Sequence, residues 1–118
     1  MREDFYIFNR IFVEENEKNA YLIADHLTGL FSKPILDLSI KKYYKFKGWY
    51  EISFKTLEKD SIPNESLKEN TKLLGQGWEY ILGDSDIDFS GSAVWNPDQG
   101  SDFVYKSVKF ADISVYLP

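Results

Sequence analysis

The sequence predicts an α+β fold, with a mainly antiparallel β-sheet and two helices packed on one of its faces. Strand-like segments follow one another directly along the chain, which favours antiparallel pairing, and only two segments have helical periodicity. The aromatic content of 17% also favours strands. With 118 residues the chain is expected to form a single α+β domain, residues 1–118, that is large enough to bury a core.

The first two elements are a strand and a helix. Phe5 to Val13 has a mixed apolar pattern that predicts a strand buried on both faces. Asn16 or Asn19 can cap the helix that follows, and Ser32-Lys33-Pro34 ends it. One helical stripe is formed by Ala20, Ile23, Ala24, Leu27, Leu30 and Phe31.

Further strands follow before the second helix. The apolar residues Leu36, Leu38 and Ile40 alternate with polar ones, as in a strand with one buried face. The segments Tyr44–Phe46 and Trp49–Leu57 predict another pair of strands with a turn or bulge between them.

The second helix and three strands complete the domain. The helix is expected to begin near Asn64 as its cap, and Gly75 and Gly77 are expected to end it. Strands are predicted over Trp78–Leu82, Asp86–Val94 and Val104–Leu117, with a loop before the last one. The predicted order is therefore β-α-β-β-β-α-β-β-β.

Composition excludes several kinds of chemistry. The chain has no cysteine, which excludes disulfides, thiolate metal sites and thiol nucleophiles. His26 is the only histidine, so a catalytic triad and a histidine-rich metal site are excluded as well. The net charge of −5, with only two arginines, disfavours nucleic-acid binding. The sequence has neither a signal-peptide pattern nor a membrane-spanning run, and we expect a cytoplasmic protein.

The segment between Lys72 and Lys106 is acidic and aromatic. It contains no positive charge and has six carboxylates together with six large aromatic residues. Aromatic side chains supply contact area at interfaces, and carboxylates steer an approaching basic partner. The segment therefore indicates a basic protein partner, although the same residues could be ordinary strands and loops of an acidic domain.

Asp84, Asp86 and Asp88 are spaced by two residues, so in a strand their carboxylates would share one face. A calcium loop of EF-hand type is excluded because its sixth and twelfth positions hold Phe89 and Trp95. Magnesium bound by two of the aspartates remains an alternative. A solvated acidic edge is the favoured interpretation, with no metal site.

Ser85-Asp86-Ile87-Asp88-Phe89 resembles the Asp-x-Asp element of nucleotidyltransferases. In that family a Gly-Ser pair lies about ten residues earlier, whereas this chain has Gly75-Gln76 there. The resemblance implies, as an alternative, a small magnesium-dependent enzyme that uses Asp86 and Asp88, with Asp112 as a third carboxylate.

A basic cluster precedes the strand at Trp49. Lysines and aromatics of this kind can stack on and neutralise single-stranded nucleic acid, but lysines also protect edge strands from aggregation. The second interpretation is favoured, and pairing with the acidic half of the chain is a further alternative. The cluster consists of Lys41, Lys42, Tyr43, Tyr44, Lys45, Phe46 and Lys47.

In overall character the chain resembles small acidic bacterial toxin-immunity proteins, chiefly through its acidic and aromatic residues from Trp78 to Tyr105. The resemblance implies an inhibitor, not an enzyme, that neutralises a basic toxin, with a nuclease as the expected target. It implies no cofactor, no metal and no nucleic-acid or membrane partner. The predicted contact set, with Trp95 as its anchor, is Asp84, Asp86, Asp88, Trp95, Asp98 and Asp102. A small-ligand-binding domain, with an aromatic pocket between sheet and helices, is another alternative.

Overall fold

The computed structural model describes residues 3–97 and 102–117. Along this part of the chain the elements are β1 (Phe5–Glu14), α1 (Glu17–Gly29), β2 (Ile35–Lys42), β3 (Trp49–Glu58), α2 (Pro63–Leu74), β4 (Gly75–Gln76), β5 (Trp78–Ile81), β6 (Ser92–Trp95), β7 (Asp102–Phe103) and β8 (Val108–Tyr116).

Six of these strands form one antiparallel sheet in the order β2-β3-β1-β8-β6-β5, and β4 and β7 form a separate short pair. The N-terminal strand β1 therefore lies inside the sheet, between β3 and β8. The predicted α+β fold with a mainly antiparallel sheet is confirmed.

Buried and more exposed residues alternate along much of β1, β3 and β8, so the sheet has a core face and an open face. Ile7 and Ile11 of β1, Ile52 of β3 and Ile113 of β8 are completely buried on the core face. Both helices contribute to the same apolar cluster, through residues such as Leu27 of α1 and Leu67 and Leu74 of α2. The helices therefore lie on one face, as predicted, and the open face carries the intervening residues of the strands.

The two helices begin in different ways. The side chain of Asn16 caps α1 and accepts a hydrogen bond from the backbone N–H of Asn19 at 2.8 Å, so the prediction of Asn16 is confirmed. The prediction that Asn64 caps α2 is wrong. Ile62 occupies the cap position, and Pro63 follows as the first helical residue, where its missing N–H removes nothing from the helix.

The predicted strand at Tyr44–Phe46 is also wrong, because residues 43–48 form the loop between β2 and β3. Gly48 has a φ of 82°, which favours a turn, and the N–H of Tyr43 donates to the carbonyl of Trp49 at 2.9 Å. The ring of Tyr43 packs against Phe12 with a centroid distance of 4.7 Å. The loop thus folds over one end of the open face instead of extending the sheet.

A polar network joins β3, α2 and the segment after α1. Glu58, whose side chain is 1% exposed, accepts a hydrogen bond from Lys33 Nζ at 2.6 Å and one from the hydroxyl of Thr56 at 2.8 Å. Lys33 Nζ also donates to Asn70 Oδ1 at 2.7 Å, and Asn70 Nδ2 donates to Thr56 at 2.9 Å. The buried carboxylate is therefore paired and hydrogen-bonded, as a buried charge requires.

The open face carries an ion pair near its centre. Arg10 of β1 donates to Asp112 Oδ2 on the neighbouring β8 through Nε at 3.1 Å and Nη2 at 2.7 Å. The hydrogen bond to Asp112 raises the pKa of Arg10 above its ordinary value. In the described ranges, no helix is long and apolar enough to cross a membrane.

Candidate functional site

The predicted contact set is divided between the two ends of the β5–β6 hairpin. Trp78 pairs with Trp95 at one end and Ile81 pairs with Ser92 at the other. Three inter-residue steps separate the two ends, which is about 10 Å along the strands. The structure therefore does not gather the predicted residues into a single cluster.

Asp84, Asp86 and Asp88 lie beyond the Ile81 end, in the loop that leads to β6. Asp102 begins β7, which pairs with β4 just before the Trp78 end of the hairpin. Asp98 lies outside the described residues.

Residues 84–88 form a hydrogen-bonded turn, the acidic turn, so the prediction that Asp86–Val94 is a strand is wrong before Ser92. Asp88 accepts a hydrogen bond from the N–H of Asp84 at 2.8 Å, and from the N–H and hydroxyl of Ser90 at 3.0 and 2.6 Å. Such local bonds of aspartate compete with strand pairing. The three carboxylates consequently do not line one face of a strand.

The same contacts favour the ionised form of Asp88. The hydroxyl of Ser90 makes the largest contribution, followed by the backbone N–H of Asp84, and together they lower the pKa of Asp88 below its ordinary value. Asp88 is thus charged at neutral pH and is the residue that organises the turn.

The acidic turn is also attached to α2. Asn64 Nδ2 donates to the carbonyl of Gly83 at 2.9 Å, and its Oδ1 accepts from the N–H of Gly83 at 3.0 Å. A Cβ at Gly83 would lie 2.8 Å from Cβ and Cγ of Asp88, so the glycine permits the close approach. The turn is therefore fixed at both sides by side-chain hydrogen bonds.

Two isoleucines in or before the acidic turn are strongly exposed. Ile87, between Asp86 and Asp88, is 81% exposed, and Ile81 at the end of β5 is 76% exposed. We did not predict either residue as part of a site. The sequence signal that could have identified Ile87 is its position between Asp86 and Asp88. A solvated acidic turn does not require a large apolar side chain there.

Trp95 is buried, which argues against its predicted role as the anchor of a contact surface. Its side chain is only 3% exposed, its indole N–H donates to the carbonyl of Gln76 at 3.0 Å, and its ring packs on Phe103 at 5.0 Å. The alternation of β6 places Ala93 and Trp95 on the core face. The tryptophan therefore belongs to the core.

The carboxylates of the enzyme alternative are not assembled. Asp112 is held by Arg10 on the open face, and Asp88 is engaged with Ser90 in the acidic turn. In residues 3–97 and 102–117, no group of three or more His, Cys, Asp or Glu side chains is placed to hold a metal ion.

His26 has a phenol as its neighbour. Its Nδ1 lies 2.5 Å from the hydroxyl of Tyr105, on the exposed side of α1. Partial burial raises the pKa of Tyr105 above its ordinary value. The pair therefore joins α1 to the loop before β8.

The basic cluster and the acidic turn lie at opposite edges of the sheet. Lys41 and Lys42 end the edge strand β2, whereas the acidic turn follows the other edge strand, β5. Five strand spacings separate these edges, which is about 24 Å. This distance argues against pairing of these lysines with the acidic turn.

None of the protein-family models, curated proteins or solved structures that we compared with the chain matches it.

Proposed function

We propose that the chain is an immunity or inhibitor protein that binds a basic toxin, with a nuclease as the expected target, through its acidic turn. The observation that carries the proposal is the exposed Ile87 within a turn that side-chain hydrogen bonds hold in place. The turn combines an apolar side chain, carboxylates and a defined conformation.

The two kinds of side chain have different roles in this proposal. Burial of Ile87 against a partner would contribute about 1.5–3 kcal/mol, which is the usual value for an aliphatic side chain. Asp84 and Asp86 would occupy positions where a nuclease holds phosphates, and their charge would accelerate the encounter with a basic site.

The hydrogen bonds of Asp88 reduce the cost of binding. A loop that already has its bound conformation loses less conformational entropy when the complex forms. Asp88 therefore supports the contact surface through the turn, while Asp84, Asp86 and Ile87 are the residues that would contact the toxin.

Asp102 remains compatible with the same interface, although it lies at the other end of the hairpin. A standard interface of about 800 Å² per partner is roughly 30 Å across, which exceeds the separation along the hairpin. Ile87 replaces Trp95 as the proposed apolar anchor.

The test begins with the protein encoded immediately upstream of this chain, if it carries a toxin-like domain, or otherwise with a toxin captured on the immobilised chain. We would measure association and dissociation rates at two salt concentrations for the wild type, Ile87→Ala and the double variant Asp84→Asn/Asp86→Asn. Matched controls on α1 are Leu22→Ala, at an apolar residue that is 54% exposed, and Asp25→Asn.

We expect Ile87→Ala to accelerate dissociation about tenfold or more, and the double variant to slow association most strongly at low salt. The controls should leave both rates unchanged. Binding that is unaffected by all the substitutions in the acidic turn would refute this surface, and a captured partner without toxic activity would refute the inhibitor function.

A further inference from the structure

A second surface lies on the open face of the sheet. The loop 43–48 forms one wall of a groove there, and Asn96 and Pro97 form part of the opposite wall. The groove has a volume of about 530 Å³, within the usual range of small-molecule sites. It does not lie between sheet and helices, where the aromatic pocket of the ligand-binding alternative was expected.

Six aromatic residues line this groove, together with charged and polar side chains. Phe12 on the floor packs against Tyr43 at 4.7 Å and Phe110 at 5.9 Å, and Phe46 packs against Trp49 at 4.6 Å. Phe46 remains 51% exposed despite these contacts. A flat ring entering the groove would therefore find aromatic faces on which it can stack.

The groove is also cationic, in a chain with a net charge of −5. Arg10, Lys45 and Lys109 line it, against the single carboxylate of Glu51. The charge of Arg10 is offset by Asp112, and Lys109 has only a 3.7 Å contact with the exposed Glu14.

Lys45 is an exposed cation that lines the groove. Its Nζ lies 5.9 Å from the ring centre of Tyr44, a side chain that is 87% exposed. An anionic group bound in the groove would be attracted by the charges of Lys45 and Lys109.

We propose that the groove binds a small planar aromatic ligand with an anionic group, and specifically a free nucleoside monophosphate. The base would stack on Phe46 and Trp49, and the phosphate would lie against Lys45 and Lys109. The volume suits one nucleotide, while the acidic opposite edge of the sheet disfavours a long polyanion. This site is independent of toxin binding.

The test uses AMP as the probe, with adenosine, inorganic phosphate and a short oligothymidylate as comparisons. Calorimetry gives the affinity, and tryptophan fluorescence reports the groove through Trp49. The chain has three tryptophans, so Trp49→Phe assigns the fluorescence signal. The variants are Phe46→Ala and Lys45→Gln, with Tyr21→Ala and Lys68→Gln, two exposed helix positions, as matched controls.

We expect AMP to bind more tightly than adenosine, and inorganic phosphate alone not to bind measurably. Phe46→Ala should weaken AMP binding at least about fivefold, and Lys45→Gln by a similar factor, while the melting temperatures stay close to that of the wild type. The control variants should bind as the wild type does.

Absence of AMP binding to the wild-type chain would overturn the proposal. Binding that neither Phe46→Ala nor Lys45→Gln weakens would place the ligand elsewhere and would overturn it too. Tighter binding of the oligothymidylate than of AMP would refute a free nucleotide as the occupant and indicate single-stranded nucleic acid.

Discussion

Replacing Lys33 by methionine should destabilise the protein strongly, because it leaves the carboxylate of Glu58 buried without its cation. Lys33 Nζ lies 2.6 Å from that carboxylate, and the Glu58 side chain is 1% exposed. The same substitution removes the hydrogen bond to Asn70 Oδ1. Methionine keeps most of the apolar stem of lysine, so the change tests chiefly the charge.

The size of the effect follows from the burial of the pair. Removing one partner of a buried ion pair costs about 3–5 kcal/mol. Since the Lys33 side chain is 21% exposed and water can reach the site, we expect the lower end of that range, about 3 kcal/mol. For a chain of 118 residues this corresponds to a fall of about 12 °C in melting temperature.

Urea denaturation followed by circular dichroism measures the free energy of unfolding. The matched control is Lys109→Met, since Lys109 pairs with Glu14 at 3.7 Å and both side chains are substantially exposed. Such a pair contributes at most about 1 kcal/mol. The double variant Lys33→Met/Glu58→Gln should recover part of the loss, because neutral glutamine removes the unpaired charge.

Two results would refute this account of the network. A loss below about 1 kcal/mol for Lys33→Met would show that Glu58 is not an isolated buried charge in the variant. A double variant no more stable than Lys33→Met would assign the loss to packing or to Asn70 instead.

Three further predictions concern the core, a close approach and the acidic turn. Trp95→Ala should lose about 3–5 kcal/mol of stability in urea denaturation because the ring is buried, whereas a loss below 1 kcal/mol would contradict its place in the core. Gly75→Ala should cost about 1–3 kcal/mol in the same assay because its Cβ would collide with the backbone of β7, and Gly29→Ala, which meets no atom within 4 Å, should be neutral or stabilising. The pKa of Asp88 is lowered, so its ionised carboxylate stabilises the turn at pH values above its ordinary pKa of 3.8. This stabilisation is lost as the pH falls through the lower pKa that Asp88 has in the folded protein. In an NMR titration the amide proton of Ser90 should therefore shift with a midpoint below 3.8, and a midpoint at or above 3.8 would contradict the turn.

The elements that the sequence predicts well are those in which local preference and burial agree. The apolar stripe of α1 starts directly after Asn16, a side chain suited to capping, and the helix begins there. The apolar residues of β1 and β3 predict strands, and both are strands in the structure. Burial of β1 on both faces was expected, whereas buried and half-buried residues alternate along most of it. Local pattern and tertiary contact thus point to the same conformation.

The wrong predictions occur where a side chain makes a hydrogen bond or a packing contact that residue spacing alone does not reveal. The aspartates spaced by two imitate strand alternation, but Asp88 bonds to the nearby backbone and produces a turn. Asn64 resembles a helix cap, but it bonds to Gly83, nineteen residues away. Trp95 lies next to a turn-like sequence, yet the register of β6 directs it into the core.

The basic cluster shows why the sequence alone does not predict the groove. The rings at Tyr44 and Phe46 have high strand propensity, whereas Gly48 and the contact of Tyr43 with Phe12 produce a loop. The groove requires this loop to fold over β1, and no local pattern specifies that contact. Predicting the groove requires the sheet order, which places β1 beside β3 and β8.

The position of β1 also determines when the molecule can fold. Tyr6 pairs with Tyr116, so the interior of the sheet joins residues from opposite ends of the described chain. Closing so long a loop has an entropic cost, and contacts of this kind slow folding. During synthesis, β1 can pair with β3 before β8 is made. The edge of β1 that later pairs with β8 stays unpaired until residues 108–116 have left the ribosome. We therefore expect a partly formed sheet with an exposed β1 edge to be the species most prone to aggregation, and folding to finish after synthesis of β8.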